Sequence, residues 1–216
     1  MGYGKKVECN GYIYEGEFKN NNYCGFGKEI YSDGKVCEGE YRYGMLHGHG
    51  KITYSDGRIR EGEYKFGKLN GYGKDTNGSI VYEGEFKDGI PNGRGKETHD
   101  NGTSYEGEFQ NGMMNGRGKI IYSDGEVYNG SFKNGEYHGY GKLTCKDGSI
   151  YDGEWRENKK NGYGKCSYFN GNVYEGEWKD NKENGKGKLI YKNGLIYEGE
   201  FKDGKLEGNW RLSNKK

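Results

Sequence analysis

A 23-residue echo runs through this chain and leaves few folds open to it. The phrase Tyr14-Glu15-Gly16-Glu17-Phe18 returns as Cys37-Glu38-Gly39-Glu40-Tyr41, Arg60-Glu61-Gly62-Glu63-Tyr64, Tyr82-Glu83-Gly84-Glu85-Phe86 and Tyr105-Glu106-Gly107-Glu108-Phe109. It continues as Tyr128-Asn129-Gly130-Ser131-Phe132, Tyr151-Asp152-Gly153-Glu154-Trp155, Tyr174-Glu175-Gly176-Glu177-Trp178 and Tyr197-Glu198-Gly199-Glu200-Phe201. The starts at 14, 37, 60, 82, 105, 128, 151, 174 and 197 lie 23 residues apart, except for one step of 22. So fixed a period marks a repeat array, in which each unit buries its face only against its neighbours.

Composition explains why repetition is needed. Forty-three of 216 residues are glycine and only 30% are hydrophobic, with 22 tyrosines supplying much of that share. Such a chain cannot build a compact aliphatic core. Disorder is disfavoured as well, because 15% of residues are aromatic and only one is proline. Alternation along Tyr14-Glu15-Gly16-Glu17-Phe18 puts the aromatics and glycine on one side and both glutamates on the other. In the following segment Gly50, Ile52 and Tyr54 share one side, and His49, Lys51 and Thr53 the other. Paired, the two segments give an apolar face of Tyr, Phe/Trp and Ile/Leu and a charged face of Glu and Lys. The pairs Asp33-Gly34, Asp56-Gly57, Asp124-Gly125 and Asn193-Gly194 predict tight hairpin turns with positive φ at both central residues. A local irregularity is expected around Asn77-Gly78, where the period shortens.

Each full unit also carries Gly-x-Gly-Lys, as in Gly25-Phe26-Gly27-Lys28 and Gly116-Arg117-Gly118-Lys119. The Tyr-x-Gly-Glu-aromatic start, the Gly-x-Gly-Lys middle and the Asp/Asn-Gly end together resemble the MORN repeat, the membrane occupation and recognition nexus family. The resemblance implies one β-hairpin per repeat. The expected fold is all-β: an elongated single-layer antiparallel sheet of stacked β-hairpins, with about 18 strands spanning roughly 85 Å. Residues 1–13 read as the second half of a truncated repeat, 14–196 as eight full repeats, and 197–216 as a terminal partial repeat and tail. Because Met1 stands in mid-repeat, the chain reads as the C-terminal part of a longer array.

Charge removes several functions. Thirty-four Lys+Arg against 33 Asp+Glu leave a formal net of +1, so the clustered basic excess of a nucleic-acid binder is missing. No apolar run is long enough to span a membrane as a helix. Five cysteines at irregular spacing favour reduced thiols, hence a cytoplasmic location. A place in the cytoskeleton or peripheral to a membrane is what the resemblance to MORN-repeat proteins implies.

Gly-x-Gly-Lys lacks the spacing and the strand-to-helix context of a phosphate loop and recurs in every full unit, so it reads as packing. The row Lys28, Lys51, Lys74, Lys96, Lys119, Lys142, Lys165 and Lys188 could grip phosphoinositide headgroups, as the family's name implies. The interleaved glutamates argue instead for a structural ladder in which each Lys faces glutamates such as Glu15 and Glu17 in its own hairpin. The aromatic face forms a candidate groove for partners or lipids, comprising Tyr14, Phe18, Tyr41, Tyr64, Tyr82, Phe86, Tyr105, Phe109, Tyr128, Phe132, Tyr151, Trp155, Tyr174, Trp178, Tyr197 and Phe201. Cys24 with His47 and His49, or Cys145 with Cys166, are loose candidates for zinc, without a spaced motif. No singular nucleophile, base or orienting group stands out, so neither an enzyme nor a cofactor is expected. The expected function is a scaffold for protein partners, and the resemblance to MORN-repeat proteins implies that these are cytoskeletal or other structural proteins. The alternatives are a module for individual phospholipids and the repeat arm of a larger enzyme. At the C-terminus Trp210 takes a glycine's place. With no hairpin to follow, the indole either folds back over the last aromatic row as a cap or, with Phe201, Leu206 and Leu212, meets the same surface of a second molecule. The second buries more apolar area and is the expected homodimer contact, since an uncapped sheet edge templates further pairing.

Overall fold

A computed structural model describes residues 2–214, and every regular element in it is a β-strand. The chain forms two compact units. One runs to Gly102 and takes in Glu108–Gly112; the other comprises Thr103–Gly107 and everything from Met113 on. The first holds β1 (Gly2–Val7), β2 (Ile13–Lys19), β3 (Asn22–Ile30), β4 (Val36–Arg42), β5 (Met45–Thr53), β6 (Ile59–Lys65), β7 (Lys68–Asn77), β8 (Ile80–Lys87) and β9 (Ile90–His99). β10 (Ser104–Gln110) gives residues to both. The second holds β11 (Met113–Ile121), β12 (Val127–Lys133), β13 (Glu136–Thr144), β14 (Ile150–Arg156), β15 (Lys159–Ser167), β16 (Val173–Lys179), β17 (Lys182–Ile190), β18 (Leu195–Lys202) and β19 (Lys205–Asn214). Each unit is an all-β antiparallel stack of consecutive hairpins, as the 23-residue period predicts.

The register repeats with the sequence. In hairpin after hairpin the glycine of the repeat's start faces the second glycine of Gly-x-Gly, as Gly16 with Gly27, Gly84 with Gly95, Gly130 with Gly141 and Gly153 with Gly164; in the terminal hairpin Gly199 faces Trp210 instead. Tyr128 shows what this pairing allows. A Cβ on Gly130 would collide with the Gly141 backbone, and one on Gly141 would fall onto the Tyr128 ring. The glycine pair therefore leaves a shallow bed in which the tyrosine lies flat over the backbone. Tyr128 is fully buried, and its hydroxyl donates to the Ser131 carbonyl at 2.9 Å. Burial without a charged partner pushes its phenol well above the ordinary tyrosine range.

Two units lack that tyrosine, having Cys37 and Arg60 in its place. There Leu46 and Leu69, both buried, fill the bed from the second strand, at 3.1 Å and 3.0 Å from a Cβ on Gly50 and Gly73. The hydroxyls of Tyr41 and Tyr64 reach back to the carbonyls of Cys37 and Arg60, at 3.2 Å and 3.1 Å.

Two kinds of turn alternate, and one corrects the sequence reading. At Ser32-Asp33-Gly34 the Gly34 amide donates to the Tyr31 carbonyl at 3.0 Å, and the Asp33 carboxylate accepts from the Lys35 amide at 2.9 Å. Only the glycine has positive φ there, as also at Gly57, Gly125 and Gly194. These are three-residue loops ending in a left-handed glycine, not the two-residue turns expected. The pairs with both φ positive lie on the opposite edge, Asn20-Asn21, Asp88-Gly89 and Asn134-Gly135 among them. The expected irregularity is present: Asn77 faces Ile80, so the connection loses one residue and Gly78 takes φ 55°.

Two of the two-residue turns put an aromatic where neighbours have Asn or Asp: Tyr43 at φ 52° and Phe66 at φ 48°, both exposed. The left-handed region costs a bulky residue roughly 1–2 kcal/mol, a cost that Asn largely escapes. Tyr43→Asn and Phe66→Asn are therefore expected to stabilise the chain by about 0.5–1 kcal/mol each, measured by urea unfolding. A loss in both would show that the Arg42–Tyr43 stack (5.2 Å) and the His47–Phe66 edge contact (5.2 Å) outweigh the strain.

Candidate functional surfaces

The aromatic face is mostly closed. Of its candidate residues all but Phe18 and Tyr197 are buried, and many of the rings pack against a ring of the next hairpin. Tyr82 meets Phe109 at 4.9 Å, Tyr105 meets Phe132 at 5.0 Å, Tyr128 meets Trp155 at 5.5 Å, Tyr151 meets Trp178 at 5.2 Å and Tyr174 meets Phe201 at 5.0 Å, all edge to face. Trp155 and Trp178 anchor their indole N–H groups on the carbonyls of Gly141 and Gly164, at 2.9 Å and 3.1 Å. These rings form the core; a ligand would have to part them.

Polar groups interrupt this face, which corrects its description as Tyr, Phe/Trp and Ile/Leu alone. Glu29 is buried and accepts hydrogen bonds from three phenols: Tyr12 at 2.6 Å, Tyr41 at 3.0 Å and Tyr31 at 3.2 Å. Burial and this carboxylate push the three phenols up, and burial first, then Glu29, raises the Cys37 thiol to about 11. A thiol so protonated is inert as a nucleophile. Asp75, at the equivalent position two units on, takes hydrogen bonds from both Arg58 (3.1 Å) and Arg60 (2.8 Å). In the second unit Lys160 lies 5.0 Å from the ring centres of both Tyr151 and Trp178, and Tyr168 donates a short hydrogen bond to Glu183. Each polar group meets its partner within the face.

On the charged face the two glutamates of a hairpin do different work. Glu15 lies opposite Lys28, which in turn lies opposite Glu38 of the next hairpin; the ion pair closes to Glu38, at 2.9 Å. Lys51–Glu61 (3.9 Å) and Lys165–Glu175 (3.7 Å) follow the same step. Along most of the row a Lys is thus set between carboxylates of two hairpins, not of one alone; Lys119 and Lys142 depart from this, each facing Asn129 on one side. The second glutamate folds over a bulge instead: Glu17 accepts from the Phe26 amide at 3.1 Å, and Glu154 from the Tyr163 amide at 2.9 Å. The bulge exists because Cys24-Gly25-Phe26 is longer than the strand opposite, and Gly25 absorbs it at φ 60°.

A feature that the sequence reading passed over is the residue between the two glycines. It projects from the charged face, leaving Tyr3, Phe26 and Tyr72 exposed in the first unit and Tyr140 and Tyr163 in the second. Strand alternation carries the signal, since this residue falls two places before the ladder lysine. The terminal residues divide: Phe201 is buried, Leu206 half-buried, and Trp210 and Leu212 are 51% and 50% exposed. Trp210 lies opposite Gly199, tilted 5.3 Å from the Tyr197 ring. Among the described residues no three His, Cys, Asp or Glu side chains form a metal-holding group, so Cys24, His47 and His49 are not brought together as ligands. Among the same residues no helix is long and apolar enough to cross a membrane.

The family model described as MORN repeat matches residues 14–36, 37–57, 61–74, 82–104, 105–127, 128–150, 151–173, 174–196 and 197–209. No curated protein matches the chain. Among solved structures, the wild-type TCP10 domain of Danio rerio CPAP is 13% identical, with 93% of this chain and 94% of that chain covered and a TM-score of 0.48. The SAS-4 (dCPAP) TCP domain of Drosophila melanogaster, solved in complex with a proline-rich motif of Ana2 (dSTIL), is 10% identical, with 99% of this chain and 90% of that chain covered and a TM-score of 0.31. Likeness this loose carries no functional argument.

Proposed function

The chain belongs to the MORN repeat family, and from that premise we propose that it is a non-enzymatic scaffold for protein–protein contacts within a cytoskeletal or membrane-associated assembly. The observation that carries this reading is the placing of the Lys row between carboxylates, Glu15–Lys28–Glu38 being the pattern. A membrane-binding surface needs several basic residues acting together, at about 1 kcal/mol apiece. Carboxylates alternating with them within about one Debye length cancel most of that attraction. The exposed faces then offer aromatic and paired polar groups, which suit protein partners.

One observation favours the phospholipid reading as an alternative: Lys119 and Lys142 both face Asn129, where other units have an acid. Co-sedimentation with anionic vesicles over a salt series separates the two. No appreciable binding is expected at physiological salt. Salt-sensitive binding that is lost on Lys119→Glu with Lys142→Glu would overturn the scaffold reading.

The second half of the proposal is a homodimer formed through the terminal repeat. β19 is exposed along its length except at Leu206, and it presents Trp210 and Leu212 half-covered. Strand edges of this kind template further pairing, and a two-fold contact satisfies both copies at once. Light scattering at tens of micromolar is expected to give a dimer mass that falls to a monomer in Trp210→Ala with Leu212→Ser. A monomer from the unaltered chain would contradict it, as would a dimer indifferent to both substitutions.

A further inference from the structure

One hairpin breaks the pattern of the charged face. The unit opening at Tyr128 has Asn129 and Ser131 where the repeat has its two glutamates. In other repeats the second glutamate accepts a hydrogen bond from a bulge amide. The pairs are Glu17 with Phe26 (3.1 Å), Glu40 with His49 (3.3 Å), Glu85 with Arg94 (3.3 Å), Glu154 with Tyr163 (2.9 Å) and Glu177 with Lys186 (3.2 Å). The equivalent amide belongs to Tyr140, and Ser131 has no carboxylate to offer it. Gly139, the bulge glycine, is exposed in consequence, whereas Gly25, Gly48, Gly93, Gly162 and Gly185 are half-covered. A Cβ on Gly162 would strike the Glu154 carboxylate at 2.7 Å; one on Gly139 would meet only Ser131, at 3.5 Å.

The charges around this bulge change with it. Without an acid at position 129, Lys119 and Lys142 face the same neutral side chain. Arg117 stands directly opposite Ser131 on the preceding strand. The depression that results is lined by Arg117, Asn129, Ser131, Tyr140 and Lys142, with Asp152 beyond, opposite Lys142. A donor set of one backbone amide and two cations, Arg117 and Lys142, in a space where sibling units hold a carboxylate, is an acceptor site for an anion.

We propose that this depression binds a carboxylate from an acidic protein segment, which takes the place that the hairpin's own glutamate occupies in its neighbours. The space left is that of one glutamate side chain, which suits a monoanionic carboxylate. Asp152 and the adjacent Glu154 row oppose a dianionic phosphate or an extended anionic membrane. The proposal rests on the scaffold reading and deepens it, by making the partner's contacting segment acidic.

The test is a titration of the full chain, labelled with nitrogen-15, with a hexaglutamate peptide, read at the Tyr140 amide by NMR. A saturable shift at Gly139 and Tyr140 is expected, with the Phe26 and Tyr163 amides unmoved. Ser131→Glu restores the internal carboxylate without disturbing the repeat, so it is expected to weaken binding at least tenfold; Arg117→Gln is expected to weaken it about threefold. An unresponsive Tyr140 amide would overturn the proposal, as would Ser131→Glu binding the peptide as the unaltered chain does. Displacement of the peptide by equal concentrations of inorganic phosphate, or by phosphatidylserine vesicles, would overturn the carboxylate assignment. A chain that binds vesicles through its Lys row yet keeps the Tyr140 response would sink the scaffold reading alone.

Discussion

The structure depends on a tyrosine laid flat over two opposed glycines. A ring can approach backbone that closely only where neither strand has a Cβ, and the register puts the two glycines opposite each other in hairpin after hairpin. This is how a chain so poor in aliphatic residues obtains a core. The usual weakness of glycine within a strand is offset by the ring that covers it. The hydroxyl is not wasted either, since it closes on a carbonyl at the rim of the bed, as Tyr151 does with Glu154 at 2.9 Å.

From that seating follows the coupling between successive hairpins. A flat tyrosine presents its edge to the aromatic of the next hairpin, and each such pair contributes about 0.5–1.5 kcal/mol beyond its buried area. A cross-strand charge pair contributes only about 0.2–1 kcal/mol. The aromatic ladder therefore carries stability from hairpin to hairpin, while the charged ladder chiefly decides what the surface attracts. Substitutions on the charged face are thus cheap for the fold, which is where the departure at Asn129 and Ser131 occurs.

Much of this is legible in the sequence, because period and alternation are strict. The 23-residue step fixes the hairpin stack, and Tyr14-Glu15-Gly16-Glu17-Phe18 declares its two faces. The turn type is not legible in the dipeptide for a physical reason: Asp-Gly serves both loop types, and only loop length separates Ser32-Asp33-Gly34 from Asp88-Gly89. The separate roles of Glu15 and Glu17 depend on a bulge at Gly25, and a bulge shifts register without leaving a mark in a two-residue pattern. Glu29 and Asp75 are not legible as centres of a network because each looks like one more strand charge until its phenol or guanidinium partners converge on it.

The claim that a tyrosine needs its glycine bed is tested most directly by a double-mutant cycle at Tyr128 and Gly141. A Cβ on Gly141 meets the Tyr128 side chain and nothing else among its three nearest atoms. Unfolding free energies of Gly141→Ala, Tyr128→Ala and the double variant are therefore expected to be non-additive. The alanine at 141 should cost at least about 1 kcal/mol less once the ring is gone, within the usual range for residues in contact. Additive losses would mean that the glycine serves the backbone alone, and would contradict the account.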